Sequence, residues 1–107
     1  MGFCLDKDYN KYNIASNSIA HLCVLTGFIE SNSLEKFVNI GYNPDPRDDW
    51  FRVGAYLDLE RKVARFYSDD VMSSFIKVDI PPNSENKICG FVSFGNMGTK
   101  IRISTNW

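Results

Sequence analysis

The sequence is poor in the residues that most often build metal sites and catalytic centres. Its 107 residues include one histidine, His21, and three widely spaced cysteines, Cys4, Cys23 and Cys89. No two cysteines have the spacing of a zinc-binding pair, and one histidine is too few to complete such a site. Phosphate-binding loops, nucleophile elbows and dinucleotide-binding glycine motifs are also missing. We therefore predict a protein that is not an enzyme and that needs no metal or cofactor.

Neither sign of charge dominates the chain, and no apolar run is long. The formal net charge is −1 and the isoelectric point is near 5.7, which gives no basic surface for nucleic acid or an anionic membrane. The longest apolar run, residues 19–29, is too short to span a bilayer. Residues 1–17 are polar and lack the apolar core of a secretory signal. We expect a cytoplasmic protein with reduced thiols, and neither nucleic acid nor a membrane as partner.

Residues 50–67 carry the clearest structural pattern. Apolar side chains recur at every second position from Phe51 to Leu59, as on one face of a strand. Three charged residues, 60–62, interrupt this run, and a second apolar run continues to Tyr67. This arrangement predicts a β-hairpin, although the connector lacks the usual Asn-Gly or Asp-Gly pair.

Other apolar segments predict further strands, separated by turn residues about every ten to fifteen positions. Residues 18–29 are apolar at both odd and even positions, which favours a central strand over a buried helix. We expect Gly90 to mark a bulge or a close backbone approach. The predicted fold is a single antiparallel β-sandwich, jelly-roll-like, with about seven strands and little helix. One domain would span 1–107, with 1–17 as an irregular or edge segment. The remaining predicted strands are 37–42, 75–80, 88–94 and 100–104.

His21 is the residue most open to a catalytic interpretation. It lies within the apolar run and has no serine or cysteine nucleophile in a recognisable motif beside it. We interpret it as a core histidine whose polar atoms are satisfied, and a small enzyme using His21 is the third functional alternative.

Polar and aromatic positions around the hairpin point to a binding surface. If the alternate apolar residues face inward, then Arg52 and Tyr56 face outward, while the register leaves open whether Arg65 and Tyr67 join them. Tyrosine and arginine beside acidic residues are typical of protein interfaces. The predicted partner-binding residues are Asp45, Asp48, Asp49, Arg52, Tyr56, Asp69 and Asp70. Trp50 and Trp107 are the alternative, as stacking platforms of a glycan-binding module.

Short motifs from Arg52 onward resemble the C-terminal half of a SPRY domain, a concanavalin-like β-sandwich. The resemblance covers residues 52–104, and Gly90 stands where the family has a proline. It implies a sandwich that binds protein segments or glycans without catalysis. The matching positions are Val53-Gly54, Leu57-Asp58, Phe66-Tyr67, Ser93, Gly95 and Ile101.

Small size, slight acidity and ten asparagines are also typical of bacterial accessory proteins. We therefore predict a non-catalytic protein-binding domain, most concretely an inhibitor or immunity-type protein. Its acidic loops would cover a basic protein partner such as a bacterial toxin.

Overall fold

The computed structural model describes residues 1–9, 14–24, 26–34, 36–41, 52–68 and 71–93. Within these ranges the regular structure consists of eight β-strands and three 3₁₀ helices, without an α-helix. The 3₁₀ helices are Asp6–Asp8, Ile14–Asn17 and Glu85–Lys87. The strands are β1 Gly2–Leu5, β2 Ala20–Leu22, β3 Phe28–Ser31, β4 Val38–Asn39, β5 Val53–Asp58, β6 Val63–Ser68, β7 Ile76–Lys77 and β8 Ile88–Phe91.

The strands form two antiparallel sheets. The larger sheet has the order β4-β3-β2-β1-β8, and the smaller has the order β5-β6-β7. Neighbouring strands pair antiparallel throughout both sheets. The predicted all-β class is thus confirmed.

A common apolar core receives side chains from both sheets. Leu22 and Ile29 come from the larger sheet, and Phe66 comes from the smaller one; each is at most 1% exposed. The ring of Phe3 lies 6.5 Å from that of Phe66, centre to centre, and so joins β1 to β6. Burial of such side chains is the main force that holds two amphipathic sheets together.

The hairpin predicted from residues 50–67 is confirmed as β5 and β6. Asp58 explains why the turn does not need an Asn-Gly pair, because its Oδ1 accepts hydrogen bonds from the backbone N–H groups of Glu60 and Arg61, both at 3.0 Å. Lys62 supplies the left-handed conformation, with φ of 56°. An aspartate that holds the turn replaces the usual dipeptide here.

Two predictions for the first thirty residues were wrong. Gly2–Leu5 is neither irregular nor an edge, because β1 lies between β2 and β8 in the larger sheet. The run 18–29 is not one strand: the chain reverses between β2 and β3. Gly27, with φ of 77°, donates its N–H to the carbonyl of Cys23 at 2.8 Å and closes this turn.

Gly90 also differs from expectation. It pairs with Phe3 in an uninterrupted register, so β8 has no bulge there. A methyl group at Gly90 would come no closer than 3.8 Å to the carbonyl oxygen of Gly2. Gly2 is the position of close approach, since a Cβ there would overlap the Ala20 carbonyl oxygen. The predicted strand 100–104 lies outside the described residues.

Candidate functional site

The outer surface of the smaller sheet is set by the β5–β6 register. Tyr56 lies directly opposite Arg65, and Gly54 lies opposite Tyr67. Ala55 and its partner Phe66 point to the core instead. Because successive side chains alternate between faces, Arg65 and Tyr67 share the outer face with Tyr56. This answers the question that the sequence left open.

Two apolar side chains extend this surface. Met72 forms a β-bridge with Tyr67, which places it on the same side of the sheet. Phe75 precedes Ile76, whose partner Ala64 faces the core, so Phe75 faces outward. We refer to the resulting surface as the Arg65 face, which consists of Tyr56, Arg65, Tyr67, Met72 and Phe75.

Arg65 is held at the centre of this face. Its guanidinium carbon lies 3.6 Å from the centre of the Phe75 ring, a cation–π contact. Its Nη1 donates to the sulfur of Met72 at 3.4 Å. Its Nε is buried and has no hydrogen-bond partner among the described residues. The guanidinium is therefore fixed against the ring with hydrogen-bonding capacity to spare.

The exposure of the Arg65 face is high for apolar side chains. Tyr56 is 45% exposed, Met72 56% and Phe75 49%. Aromatic residues, methionine and arginine are enriched at the centres of protein–protein interfaces. Tyr56, Met72 and Phe75 thus form an exposed apolar group around Arg65.

The predicted partner-binding residues divide into two groups. Arg52 and Tyr56 are exposed, as expected. The five aspartates, Asp45, Asp48, Asp49, Asp69 and Asp70, lie outside the described residues. The strand ends to which their segments are attached are paired, because Val53 lies opposite Ser68.

A second polar cluster surrounds His21 on the outer surface of the larger sheet. Its Nδ1 is 2.9 Å from the hydroxyl of Ser18, and its Nε2 is 3.3 Å from Oε2 of Glu30. Glu30 is the direct cross-strand partner of His21, and Ser18 lies three residues before it. Neither contact was predicted from the sequence, since the Glu30 pairing becomes visible only once the turn between β2 and β3 is known. The cluster opens on a cleft of about 220 Å³ that Lys36 and Phe37 also line.

Burial controls the ionisation of His21. Its side chain is 15% exposed, and desolvation lowers its pKa below the ordinary value, against the opposing effect of the Glu30 carboxylate. A smaller lowering comes from the Met1 amino group. The expectation that its polar atoms are satisfied is confirmed, although His21 borders a cleft and lies outside the core cluster.

The remaining expectations concern metals, membranes and glycans. In the described part of the chain, no three His, Cys, Asp or Glu side chains form a group that could hold a metal ion. No helix in these residues is long and apolar enough to cross a membrane. Trp50 and Trp107, the candidate glycan platforms, fall outside the described ranges.

Comparison with known proteins found no matching family model, no matching curated protein and no matching solved structure. The resemblance of residues 52–104 to SPRY domains therefore stays a prediction.

Proposed function

We propose that this protein is a non-catalytic protein-binding domain that holds its partner on the Arg65 face. The observation that carries the proposal is the guanidinium of Arg65, seated on Phe75 and against Met72 within a group of exposed aromatic side chains. Flat aromatic surfaces of this kind contribute binding energy by excluding water from a partner's apolar side chains.

The side chains of the Arg65 face indicate what kind of partner surface it would bind. Phe75, Met72 and Tyr56 suit an apolar patch on a protein surface, because a sheet face offers no deep cavity for a small molecule. Arg65 suits a backbone carbonyl or a carboxylate at the centre of that patch, where a charge-assisted hydrogen bond is strongest.

The finer proposal is an inhibitor or immunity-type protein. The acidic segments that contain Asp48-Asp49 and Asp69-Asp70 are attached to the paired strand ends at Val53 and Ser68. A partner with an apolar centre and a basic rim, such as a bacterial toxin, would complement both the face and these segments. We further propose that residues 1–107 form a single β-sandwich from these two sheets and act in the cytoplasm.

Comparative affinity capture tests the binding surface. Immobilised wild-type protein, Tyr56→Ala and Phe75→Ala would be incubated with a lysate of cells that carry the gene, and bound proteins quantified by mass spectrometry. Phe37→Ala is the matched control, because Phe37 is 62% exposed but lies just before β4 and packs on Phe28 of the larger sheet.

The expected result is one protein that binds the wild type and Phe37→Ala but is lost from the other two variants. With that partner purified, each truncation on the Arg65 face should weaken binding by about 30-fold, the effect of losing about 2 kcal/mol. Binding that is equal for all variants would refute the proposed surface. The joint replacement of Asp48 and Asp49 by lysine then tests the acidic segments. If these segments contact the basic rim of the partner, the double variant should bind the partner more weakly, and its affinity should depend less on salt concentration.

A second candidate function follows from the Ser18–His21–Glu30 cluster. A neutral imidazole between a hydroxyl and a carboxylate can act as general base toward the serine. A cross-strand His–Glu pair is, however, also an ordinary stabilising contact, and 220 Å³ is small for a ligand site.

Hydrolysis of p-nitrophenyl acetate separates these two interpretations. An enzyme would show turnover that is lost in both Ser18→Ala and His21→Gln while the fold stays intact. Equal rates for the wild type and both variants would leave the cluster with a structural role. The glycan-binding alternative stays a prediction, for which a glycan array is the direct test.

A further inference from the structure

Two of the three cysteines meet across neighbouring strands. Cys4 on β1 lies directly opposite Cys89 on β8, and their sulfur atoms are 3.6 Å apart although 85 positions separate them in the sequence. Opposed residues of an antiparallel pair have Cα atoms about 4.5 to 5.5 Å apart, which lies within the range that disulfides span, about 4.4 to 6.8 Å. Both are free thiols in this structure. The strand pairing thus places the two residues at a backbone separation that a disulfide can span.

We propose that Cys4 and Cys89 form a redox-modification site, which a low-molecular-weight disulfide oxidises to an intramolecular disulfide between β1 and β8. The pair lies on the face of the larger sheet that points away from the common core, since Phe3 and Leu5 on either side of Cys4 pack toward that core. The site is therefore separate from the Arg65 face.

The different exposure of the two thiols sets the order of reaction. Cys4 is 0% exposed, whereas Cys89 is half-buried. Burial raises the pKa of Cys4 to about 12, with further raising contributions from Cys89 and from the carboxylates of Asp8 and Asp6. Since the thiolate is the nucleophile, the accessible Cys89 reacts first with the oxidant and Cys4 completes the bond.

The exchange balances in two steps. The Cys89 thiolate attacks one sulfur of the oxidant R–S–S–R, which forms a mixed disulfide and releases one RS⁻. The Cys4 sulfur, after loss of its proton, attacks the Cys89 sulfur and displaces the second RS⁻. The two protein thiols lose two electrons and two protons, and the oxidant takes them up as two RSH.

The bond would change the edge of the larger sheet. β8 is the terminal strand in its order, paired with β1 on one side. Among its described neighbours β8 is thus held by one ladder of hydrogen bonds, and edge strands of this kind open more readily than interior ones. Oxidation ties β8 covalently to an interior strand, so that its local opening should be suppressed.

The test uses oxidised glutathione as the probe, with the folded, fully reduced protein. After quenching with N-ethylmaleimide, trypsin should release peptides 1–7 and 88–100 as one disulfide-linked species, while Cys23 stays in the separate peptide 12–36. The intact protein should lose the mass of two hydrogen atoms in a Cys23→Ser background. Protection of β8 amides from hydrogen exchange should rise in the oxidised form.

Variants decide the proposed order of attack. Cys4→Ala should stop at a glutathione adduct on Cys89. Cys89→Ser should give no linked peptides and no glutathione adduct on the buried Cys4. The wild type itself provides the test that does not depend on the folding of a variant. Persistence of both thiols, or a stable glutathione adduct on wild-type Cys89, would overturn the proposal.

Discussion

Asn32 and Asp79 exchange two hydrogen bonds that connect the larger sheet to the segment following β7. The side-chain amide of Asn32 donates from Nδ2 to the backbone carbonyl of Asp79 at 2.8 Å, and its Oδ1 accepts from the backbone N–H of Asp79 at 2.8 Å. The neighbouring Ser31 hydroxyl donates to the carbonyl of Lys77 at 2.7 Å. The Asn32 amide thus pairs with a backbone segment as another peptide group would, and it ties the larger sheet to the chain that follows β7.

Asn32→Ala should lower the free energy of unfolding by about 1 to 2 kcal/mol, because two hydrogen bonds of ordinary strength are lost. Asn32→Asp should lower the free energy of unfolding more than Asn32→Ala does. The carboxylate has the size of the amide, but it lacks the N–H donor and faces the Asp79 carbonyl oxygen. Urea unfolding measures both effects. Asn86→Ala, at an exposed asparagine in the last 3₁₀ helix, is the control. Equal stability of Asn32→Ala and the control would contradict this role of Asn32.

The fold was predictable where periodicity ran long enough. The alternation in residues 50–67 located β5 and β6, because six-residue strands with one buried face leave a clear period of two. β1 has four residues that include a glycine and a cysteine, too few to separate it from the polar residues that follow. The run 18–29 concealed a turn, since only Thr26-Gly27 separates its two apolar halves and Gly27 supplies the reversal.

The candidate sites depended on register and on contacts between distant residues. Tyr56 could be placed on the outer face from the period alone, whereas Arg65 could not, because one residue more or less in the turn would move it to the other face. Cys4 and Cys89 meet through the pairing of the first described strand with the last. No local pattern in one sequence reports such a pairing.

Asp58 should be the residue on which the hairpin turn depends. Asp58→Ala removes the acceptor for two backbone N–H groups and should lower stability by about 1 kcal/mol. Asp58→Asn keeps an oxygen in the same position and should retain about half of that contribution. Arg61→Ala is the control for the 3.9 Å ion pair between Arg61 and Asp58, and it should change stability by less than about 0.5 kcal/mol because Arg61 is exposed. Thermal or urea unfolding would show the order; an Arg61→Ala effect as large as that of Asp58→Ala would contradict it.

The contact between Arg65 and Phe75 should appear as a coupling energy. In a double-mutant cycle with Arg65→Met and Phe75→Leu, the free energies of unfolding should give a coupling energy of about 0.5 to 1 kcal/mol. This is the strength of a cation–π contact near a surface. Methionine retains most of the apolar stem, so the cycle isolates the guanidinium. The matched cycle combines Arg65→Met with Phe37→Leu, which lies beside Phe28 of the larger sheet, and should give no coupling. Equal coupling energies in the two cycles would contradict a specific contact.

His21 should make stability depend on pH in one direction. The ordinary histidine pKa of 6.5 applies to the unfolded chain, and burial lowers the pKa in the folded state. As the pH falls through 6.5, the unfolded state binds the proton first, so the free energy of unfolding decreases and then levels off below the folded-state pKa. Above 6.5 this contribution is fully present. Urea unfolding between about pH 5 and 8 should therefore show a loss at the acid end that is smaller in His21→Gln.

The charged groups around His21 affect the pH range over which this stability is lost. The Glu30 carboxylate on β3 raises the His21 pKa, while burial and the Met1 amino group lower it. Glu30→Gln should therefore lower the pKa further and extend the loss of stability toward lower pH, since one opposing charge is removed. Titration of the imidazole resonances by NMR measures the value in each protein directly. A wild-type pKa at or above 6.5, or a rise on Glu30→Gln, would show that burial does not dominate at this histidine.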